Sequence, residues 1–451
     1  MTHWRIAPLE TLLAHSIGGV WGSPPGSEAC EVRVLRVTEL KGFGELHPQT
    51  AAHRSVSKAQ LSSRRLRQDD LLLEKSGGGP NTPVGRVGLV PHLSEESVCS
   101  NFMQLMRPRA DVADPRFLHL YLNHLHAMGA TIPLQTASTN IRNIKVSDYA
   151  KLAVPVPEIS EQRQIVAILE EHLSDLEDAE RALDRAARRL AGLREQRVLF
   201  ALTGGDAIHR RSPAIDPAGT HDGHLPSLPI GWEWMRLGDV AEVVGGVTKD
   251  TKKQSDPALP EVPYLRVANV QRGRLDLRSI ATIRVPEVKA LALALHPGDV
   301  LLNEGGDRDK LARGWVWQGQ IDGCIHQNHV FRARITERRL DPYFLSLTTN
   351  SLGAPWAERN GKQSVNLASI SLSMIKKMPV IVPPNGVAVR VVQKIREERE
   401  SFDRLQRSID EAVARSSRLR RALLAAAFSG RLTGHGSDRD VIEELAEEES
   451  A

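Results

Sequence analysis

The chain has 451 residues, of which 41% are hydrophobic and 4% are aromatic, and its net charge is +4. That hydrophobic content is enough for packed cores, and the length predicts two or more domains, because single cores stop growing at roughly 250–300 residues. The scarcity of aromatic side chains disfavours a platform that stacks unpaired bases. With no apolar signal core and no run of about 20 apolar residues, we expect a cytoplasmic protein.

The charge is distributed unevenly along the chain. Residues 438–449 contain seven acids and one arginine, so the remainder carries about +10. A basic body suits a polyanionic partner such as nucleic acid. The three cysteines, at positions 30, 99 and 324, are far apart and odd in number. This pattern disfavours both a disulfide framework and a structural zinc site, so no metal is expected.

The first half of the chain predicts a module, a helix and a linker. Residues 1–158 alternate short β-rich runs with glycine and proline, as an α+β module does. Residues 159–202 contain no proline and predict a long helix. Residues 203–228 are rich in glycine, proline and histidine, which is typical of a linker. Leucines recur every seven residues in the helix, at Leu169, Leu176, Leu183 and Leu190.

The second half predicts the same order of elements. Residues 229–384 form a second α+β module, residues 385–432 a second long helix, and residues 433–451 an acidic tail. Two equal apolar seams separated by one module predict that the helices pair with each other as an antiparallel coiled coil. The alternative is two separate coiled coils with other chains. The second seam, interrupted at Ser416, consists of Ile395, Phe402, Ile409 and Leu423.

The two modules are copies of each other. Six sequence blocks recur in the same order with an offset that drifts by only a few residues, which indicates a duplicated domain and is too long a period for a solenoid. The matching blocks are 34–46 with 264–276, 66–79 with 295–307, 100–109 with 327–336, 114–122 with 341–349, 139–144 with 365–370, and 154–169 with 380–395.

A search for catalytic motifs finds none of the common ones. The sequence has no Walker A loop, no dinucleotide fingerprint, no Asn-Pro-Pro-aromatic or Asp-Pro-Pro-aromatic motif of adenine methyltransferases, no His-Glu-x-x-His and no Gly-x-Ser-x-Gly. Asp239, Asp250 and Lys252 loosely imitate a nuclease core, but the first module lacks them. His326 and His329 could ligate a metal, although a structural or DNA-facing role is favoured. The sequence therefore predicts a chain without catalytic residues.

The features that both copies share suggest contacts with DNA. In each copy a strand and an Asp turn, at Asp70 and Asp299, lead into a glycine-rich loop, and such backbone can approach phosphates closely. Ordinary hairpins and turn asparagines are the alternative. The candidate DNA-binding residues are Lys75, Ser76, Gly77, Gly78, Arg86, Asn101, Asn140 and Arg142 in the first copy, and Asn303, Gly305, Gly306, Arg308, Lys310, Arg313, Asn328, Lys362 and Asn366 in the second.

With these features in place, the chain resembles the specificity subunits of type I restriction-modification enzymes (HsdS family). The resemblance covers nearly the whole chain. Its most specific parts are the proline-rich stretch leading into EQRQIV and the helix end AAFSGRL. The second copy departs from the pattern, with Val387, Ala388 and Val389 where the first has Glu161, Gln162 and Arg163. The segments that carry the resemblance are 154–173, 193–205, 228–240, 296–307 and 419–433.

The resemblance implies a role in phage defence as the DNA-reading part of a larger complex. Each module would be a target recognition domain that reads one part of a bipartite site in the major groove of double-stranded DNA. The helices would act as a spacer and as a docking surface for two methyltransferase subunits. The methyltransferase subunits would bring S-adenosylmethionine for DNA methylation, and motor-nuclease subunits would bring ATP and Mg²⁺, so no cofactor is expected in this chain.

Three alternative functions stay open at this point. The chain could serve a type II system whose partner fuses methylation and cleavage. It could be a coiled-coil adaptor that does not read DNA. It could also be a nuclease in its own right that uses Asp250 and Lys252.

Overall fold

The computed structural model describes residues 4–79, 82–138, 141–211, 214–363, 368–433, 440, 441 and 444. The chain divides into two compact units, and both boundaries fall within long helices. The first unit comprises Met1–Asp184 and Asp410–Ala451, and the second comprises Arg185–Ile409.

The first module is built from short strands. In chain order they are β1 Arg5–Pro8, β2 Leu13–Gly18, β3 Cys30–Leu35, β4 Leu40–Lys41, β5 Glu45–Leu46, β6 Ala52–Val56, β7 Leu71–Glu74, β8 Ser76–Gly78, β9 Val87–Leu89, β10 Ser97–Cys99, β11 Met103–Pro108, β12 Gln135–Ser138, β13 Ile141–Ile144 and β14 Ala153–Val156. Its helices are α1 Lys58–Arg64, α2 Pro115–Ala127 and α3 Val146–Tyr149, and the long helix α4 Ile159–Leu202 follows.

The second module has a matching set of elements. A pair of two-residue strands, β15 Arg210–Arg211 and β16 Leu228–Pro229, precedes the module. The strands of the module are β17 Glu233–Arg236, β18 Ala241–Val244, β19 Glu261–Leu265, β20 Val270–Gln271, β21 Arg274–Leu275, β22 Ala281–Arg284, β23 Val300–Asn303, β24 Gly305–Gly306, β25 Gly314–Val316, β26 Ile325–His326, β27 Val330–Ile335, β28 Lys362–Gln363, β29 Ala368–Ser369 and β30 Pro379–Val382. Its helices are α5 Leu237–Val240, α6 Thr251–Gln254, α7 Glu287–Leu293, α8 Pro342–Thr348, α9 Ala354–Asn360 and α10 Leu372–Ile375, and the long helix α11 Val387–Phe428 follows.

The two modules share one sheet topology. The central antiparallel sheet has the order β2-β11-β7-β9 in the first module and β18-β27-β23-β25 in the second. Smaller sheets repeat in the same way: β10-β3-β6 corresponds to β26-β19-β22, and β12-β13-β8 to β28-β29-β24. In both copies the pair that opens and closes the module is antiparallel, β1 with β14 and β17 with β30. The duplication predicted from the sequence blocks is therefore a duplication of the fold.

The central strands β7 and β23 are buried at every position, so apolar cores lie on both faces of each central sheet. In the first module Leu71 and Leu73 on β7 pack with Leu118 and Leu122 of α2. In the second, Val300 and Leu302 on β23 pack with Phe344 of α8. An aspartate caps each of these helices, Asp114 before α2 and Asp341 before α8, by accepting hydrogen bonds from the first-turn N–H groups.

Within the first unit, the start of α4 packs against the end of α11. Leu169 and Leu173 lie in one apolar cluster with Leu423 and Ala427, so the two helix segments run antiparallel. Ser416, which interrupts the second seam, is buried and donates a hydrogen bond to Oε1 of Glu180 at 2.8 Å. A polar contact therefore replaces an apolar one at this level of the helix pair.

Within the second unit, the end of α4 packs against the start of α11 in the same sense. Leu202 lies in one cluster with Ala388 and Ile395, and Arg197 donates to Glu398 at 2.6 Å. Of the predicted seam residues in the whole chain, Leu169, Ile395 and Leu423 are buried. The others are only half-buried, namely Leu176, Leu183, Leu190, Phe402 and Ile409.

The segment predicted as a linker, 203–228, is held against the second module. The Asp222 carboxylate accepts hydrogen bonds from Arg236 and from the indole N–H of Trp356, each at 2.9 Å. Burial alone would raise the pKa of Asp222, but hydrogen bonds from Arg236, Trp356 and Thr220 outweigh it and lower the pKa to about 2. The segment has the composition of a flexible linker, but these hydrogen bonds anchor it to the second module.

The fold class predicted from the sequence is confirmed: two duplicated α+β modules, each followed by a long helix, with antiparallel helix pairing in each unit. Among the helices described, none has the length and apolar character needed to cross a membrane.

Candidate nucleic-acid interface

Four chain segments meet at one end of the central sheet in the first module. The residue before β8, Lys75, donates its backbone N–H to the carbonyl of Phe102 at 3.0 Å and accepts from the N–H of Ile144 at 2.8 Å. These bonds join the glycine-rich loop, the asparagine turn before β11 and the strand β13. We call this meeting point the loop cluster of the first module, residues 18–20, 75–78, 99–103 and 141–144.

The second module repeats these two backbone hydrogen bonds. Glu304 donates its N–H to the carbonyl of His329 at 3.0 Å and accepts from the N–H of Ile370 at 2.8 Å. The equivalent residues are therefore Lys75 and Glu304, with Phe102 matching His329. The loop cluster of the second module comprises residues 245–247, 304–306, 326–330 and 368–370.

The fourth segment of each cluster is a glycine pair that the sequence reasoning missed. A Cβ at Gly19 would lie 2.2 Å from the carbonyl oxygen of Ser100, and a Cβ at Gly246 would lie 1.9 Å from that of His326. Only glycine allows the backbone to pass this close beneath the turn. The signal was present in the sequence as IGGV at 17–20 and VGGV at 244–247.

Cations surround the loop cluster of the first module. The Lys75 ammonium lies 3.0 Å from the position of a Cβ built on Gly18, and the Arg64 guanidinium donates to the Gly18 carbonyl at 2.9 Å. Arg142 donates to the carbonyl of Gly79 at 3.2 Å, and Ser76 donates to Asn143 at 2.5 Å. The predicted residues Lys75, Ser76, Gly77, Gly78 and Arg142 are thus brought together, and Asn101 is exposed on the adjoining turn.

The loop cluster of the second module has different side chains on the same frame. The Glu304 carboxylate contacts Nδ1 of His329 at 2.5 Å, and Nε2 of that ring contacts the Asn328 amide nitrogen at 3.3 Å. Lys310 is paired with Asp307. The exposed Arg308 and Lys362 lie beside this loop, where Arg308 contacts Gln363 at 3.4 Å and Lys362 pairs in register with Ser369. Gly305 and Gly306 pair with the same strand.

One predicted DNA contact is buried, and two others have internal polar partners while staying partly exposed. Asn303 is 0% exposed and donates to the carbonyl of Val270 at 2.8 Å, so it cannot reach a duplex. Arg86 makes an ion pair with the buried Glu74 at 2.9 Å. Arg313 is partly buried and its carbonyl accepts from the Asn303 N–H. Basic and amide residues near glycine loops thus also serve as internal polar partners. The predicted contacts Asn140 and Asn366 lie outside the described residues.

The patterns that suggested metal or nuclease chemistry have other partners. His326 is buried and contacts the Val330 carbonyl through Nδ1 at 2.6 Å, and burial lowers its pKa to about 4. At the equivalent position in the first module, burial raises the pKa of the Cys99 thiol to about 12. Asp250 caps α6 by accepting from the N–H of Lys252. No group of residues suited to hold a metal occurs in the part of the chain that the structure describes.

The sequence departure between the two copies lies in internal contacts. Gln162 is 1% exposed, accepts from the Asp114 N–H at 2.8 Å and donates to two carbonyls. Glu161 accepts from the Trp4 indole at 3.2 Å and from the Thr433 hydroxyl at 2.7 Å. In the second copy the buried Ala388 packs against Val392 and Ile395 instead. In the second copy, apolar packing therefore takes the place of the hydrogen bonds that Glu161 and Gln162 make in the first.

Comparison with known proteins finds similarity to specificity subunits of type I restriction enzymes. Residues 59–183 match the family model for the type I restriction modification DNA specificity domain. The chain is 23% identical over 379 residues to the type I restriction enzyme EcoKI specificity subunit of Escherichia coli strain K12, covering 82% of this chain and 76% of the relative. It is 22% identical over 383 residues, with the same coverage, to the StySPI specificity subunit of Salmonella potsdam.

Solved structures share the fold over almost the full length. A chain from a structural study of complex assembly and conformational transition of the type I R-M system aligns with a TM-score of 0.69 and 18% identity, covering 94% of this chain and 97% of that one. The HsdS subunit from Thermoanaerobacter tengcongensis aligns with a TM-score of 0.51 and 17% identity, covering 95% and 97%. Taken with the family match over residues 59–183, these likenesses confirm the resemblance to the specificity subunits of type I restriction-modification enzymes.

Proposed function

We propose that this chain selects the DNA target of a type I restriction-modification complex, and that each module reads one half of a bipartite site. The observation that carries the proposal is the loop cluster, which is built twice on the same backbone hydrogen bonds and carries different side chains in each copy. A common frame with variable side chains is what two readers of different half-sites require, because base identity is read by individual side chains at base edges.

The chain itself is proposed to be non-catalytic. Asp250 and His326, which had suggested nuclease or metal chemistry, are engaged as a helix cap and as a buried partner of a carbonyl. Methyltransferase subunits, two per complex, would supply S-adenosylmethionine, and motor-nuclease subunits would supply ATP and Mg²⁺. The docking surface for the methyltransferase subunits would lie on the exposed faces of α4 and α11, which carry apolar side chains such as Leu193, Leu199, Val389 and Leu405.

Binding selection from a random duplex library tests the proposal. The chain is co-purified with its methyltransferase subunits, and the retained duplexes are sequenced. We expect two short conserved blocks separated by a spacer of fixed length without sequence preference. Retention of duplexes with no common sequence would contradict the proposal and would favour an adaptor that does not read DNA.

A further inference from the structure

The turn before β27 in the second module carries Asn328, whose side-chain amide is oriented by neighbouring residues. Asn328 is partly exposed at the tip of this turn. The turn is held by backbone bonds from Asn328 N–H to the Val247 carbonyl at 2.9 Å and from Gln327 N–H to the Leu265 carbonyl at 2.9 Å. The backbone of the tip is therefore tied to two neighbouring segments.

Hydrogen bonding sets which way the Asn328 amide faces. The ionised carboxylate of Glu304 can only accept, so Nδ1 of His329 carries the proton of their 2.5 Å contact. An amide nitrogen can only donate, so Nε2 of the same ring accepts from the Asn328 amide nitrogen in their 3.3 Å contact. Among the described residues, no hydrogen bond is made by the side-chain oxygen Oδ1 of Asn328 or by its second amide N–H. One acceptor and one donor are left side by side.

That donor and acceptor pair has a specific complement in DNA. An asparagine amide bonds adenine in a bidentate manner in the major groove, with its carbonyl accepting from N6 and its N–H donating to N7. Building on the proposed function, we propose that Asn328 reads an adenine in the half-site of the second module, and that Glu304 and His329 are positioning residues that orient its amide.

The first module lacks this device at the same place. Phe102 occupies the position of His329 and is 44% exposed, and Lys75 occupies that of Glu304. Among the residues that the structure describes, the pair that orients Asn328 therefore has no counterpart beside Asn101. The inference therefore applies to one half-site only, and the first module provides matched control positions on the same backbone frame.

The test uses the complex with the methyltransferase subunits and the library selection described above. Asn328→Ala should lower discrimination in favour of adenine at one position of one half-site by roughly 5- to 150-fold, the range for a bidentate pair. His329→Phe, which copies the first module, and Glu304→Gln should lower discrimination at that same position by a smaller factor. Phe102→His is the control and should leave that position unchanged.

The outcomes separate this inference from the proposed function. If the wild-type complex selects no bipartite sequence, the proposed function fails. If the wild type selects one and Asn328→Ala leaves every adenine preference intact, the inference is overturned. If Asn328→Ala acts and His329→Phe and Glu304→Gln do not, the positioning role is overturned. A folding defect would instead reduce the binding of all duplexes without altering relative base preferences, and it too would contradict the assignment.

Discussion

The Asp70 carboxylate accepts two hydrogen bonds from the Arg107 guanidinium, at 2.6 and 2.7 Å. Asp299 and Arg334 repeat this pair in the second module, with two bonds of 2.8 Å. Each aspartate also accepts a backbone N–H three residues before it. The aspartate that both copies share before the glycine-rich loop therefore fixes strand β7 or β23 to its neighbour and does not face DNA.

Removal of Asp70 should destabilise the first module strongly. The carboxylate is 2% exposed and its partner 21%, and breaking a buried pair by removing one partner costs about 3–5 kcal/mol. Urea unfolding of Asp70→Ala should show this loss. Asp111→Ala is the control, because its pair with Arg109 is exposed to solvent and should contribute little to stability. Equal losses in the two variants would refute this role for Asp70.

The helix pair should be stabilised unevenly along its length. Leu169 is 0% exposed, so Leu169→Ala should cost about 2–5 kcal/mol, as large-to-small changes in cores do. Leu183 is half-buried, and Leu183→Ala should cost about 1 kcal/mol. Urea unfolding of both variants measures the difference. A uniform coiled-coil seam, as the heptad pattern alone predicts, would give similar losses.

Asp222 should make the second unit sensitive to acid. Its folded pKa of about 2 lies below the value of about 3.9 in unfolded chains. Its contribution is therefore fully present above about pH 4 and is lost as the pH falls towards 2, and it amounts to about 2 kcal/mol. In Asp222→Asn, stability should change less than in the wild type between pH 4 and pH 2. If the free energy of unfolding falls by the same amount in the wild type and in Asp222→Asn, Asp222 does not cause the sensitivity to acid.

Lys75 should contribute to DNA affinity without selecting bases. It lies among glycines in the loop cluster, where an ammonium can meet a phosphate. Lys75→Gln should weaken binding of all duplexes by a similar factor and reduce the slope of log K against log salt by about 1. Binding of the methyltransferase complex at several salt concentrations gives this slope. An unchanged slope would argue against a phosphate contact, and Lys145→Gln, outside the loop cluster, is the control.

The sequence predicted the architecture well because duplication and heptads are long-range patterns. Six collinear blocks predicted two copies of one module, and the leucine seam predicted α4. The candidate site was predicted less well, since a side chain's burial depends on partners distant in sequence. Asn303 is buried with the Val270 carbonyl as its partner, and the partly exposed Arg86 pairs with the buried Glu74. The linker composition gave no sign that Asp222 would bind Arg236.

The pattern also underrated two features of the loop cluster. In the sequence His326 and His329 look like one potential metal-binding pair, yet the two rings have separate partners, the Val330 carbonyl and Glu304. The paired glycines at 18–19 and 245–246 recur at equivalent positions of the two copies, so aligning the copies with each other identifies them. A search for short glycine matches between the copies would have found them.

The central claim is that the two modules read separate half-sites. Replacing residues 231–382 with the corresponding module of another family member, in a strain that carries the methyltransferase subunits, tests it through sequencing of methylated bases across the genome. We predict that one half of the methylated target changes while the other half is retained. A target that changes in both halves, or in neither, would contradict the account.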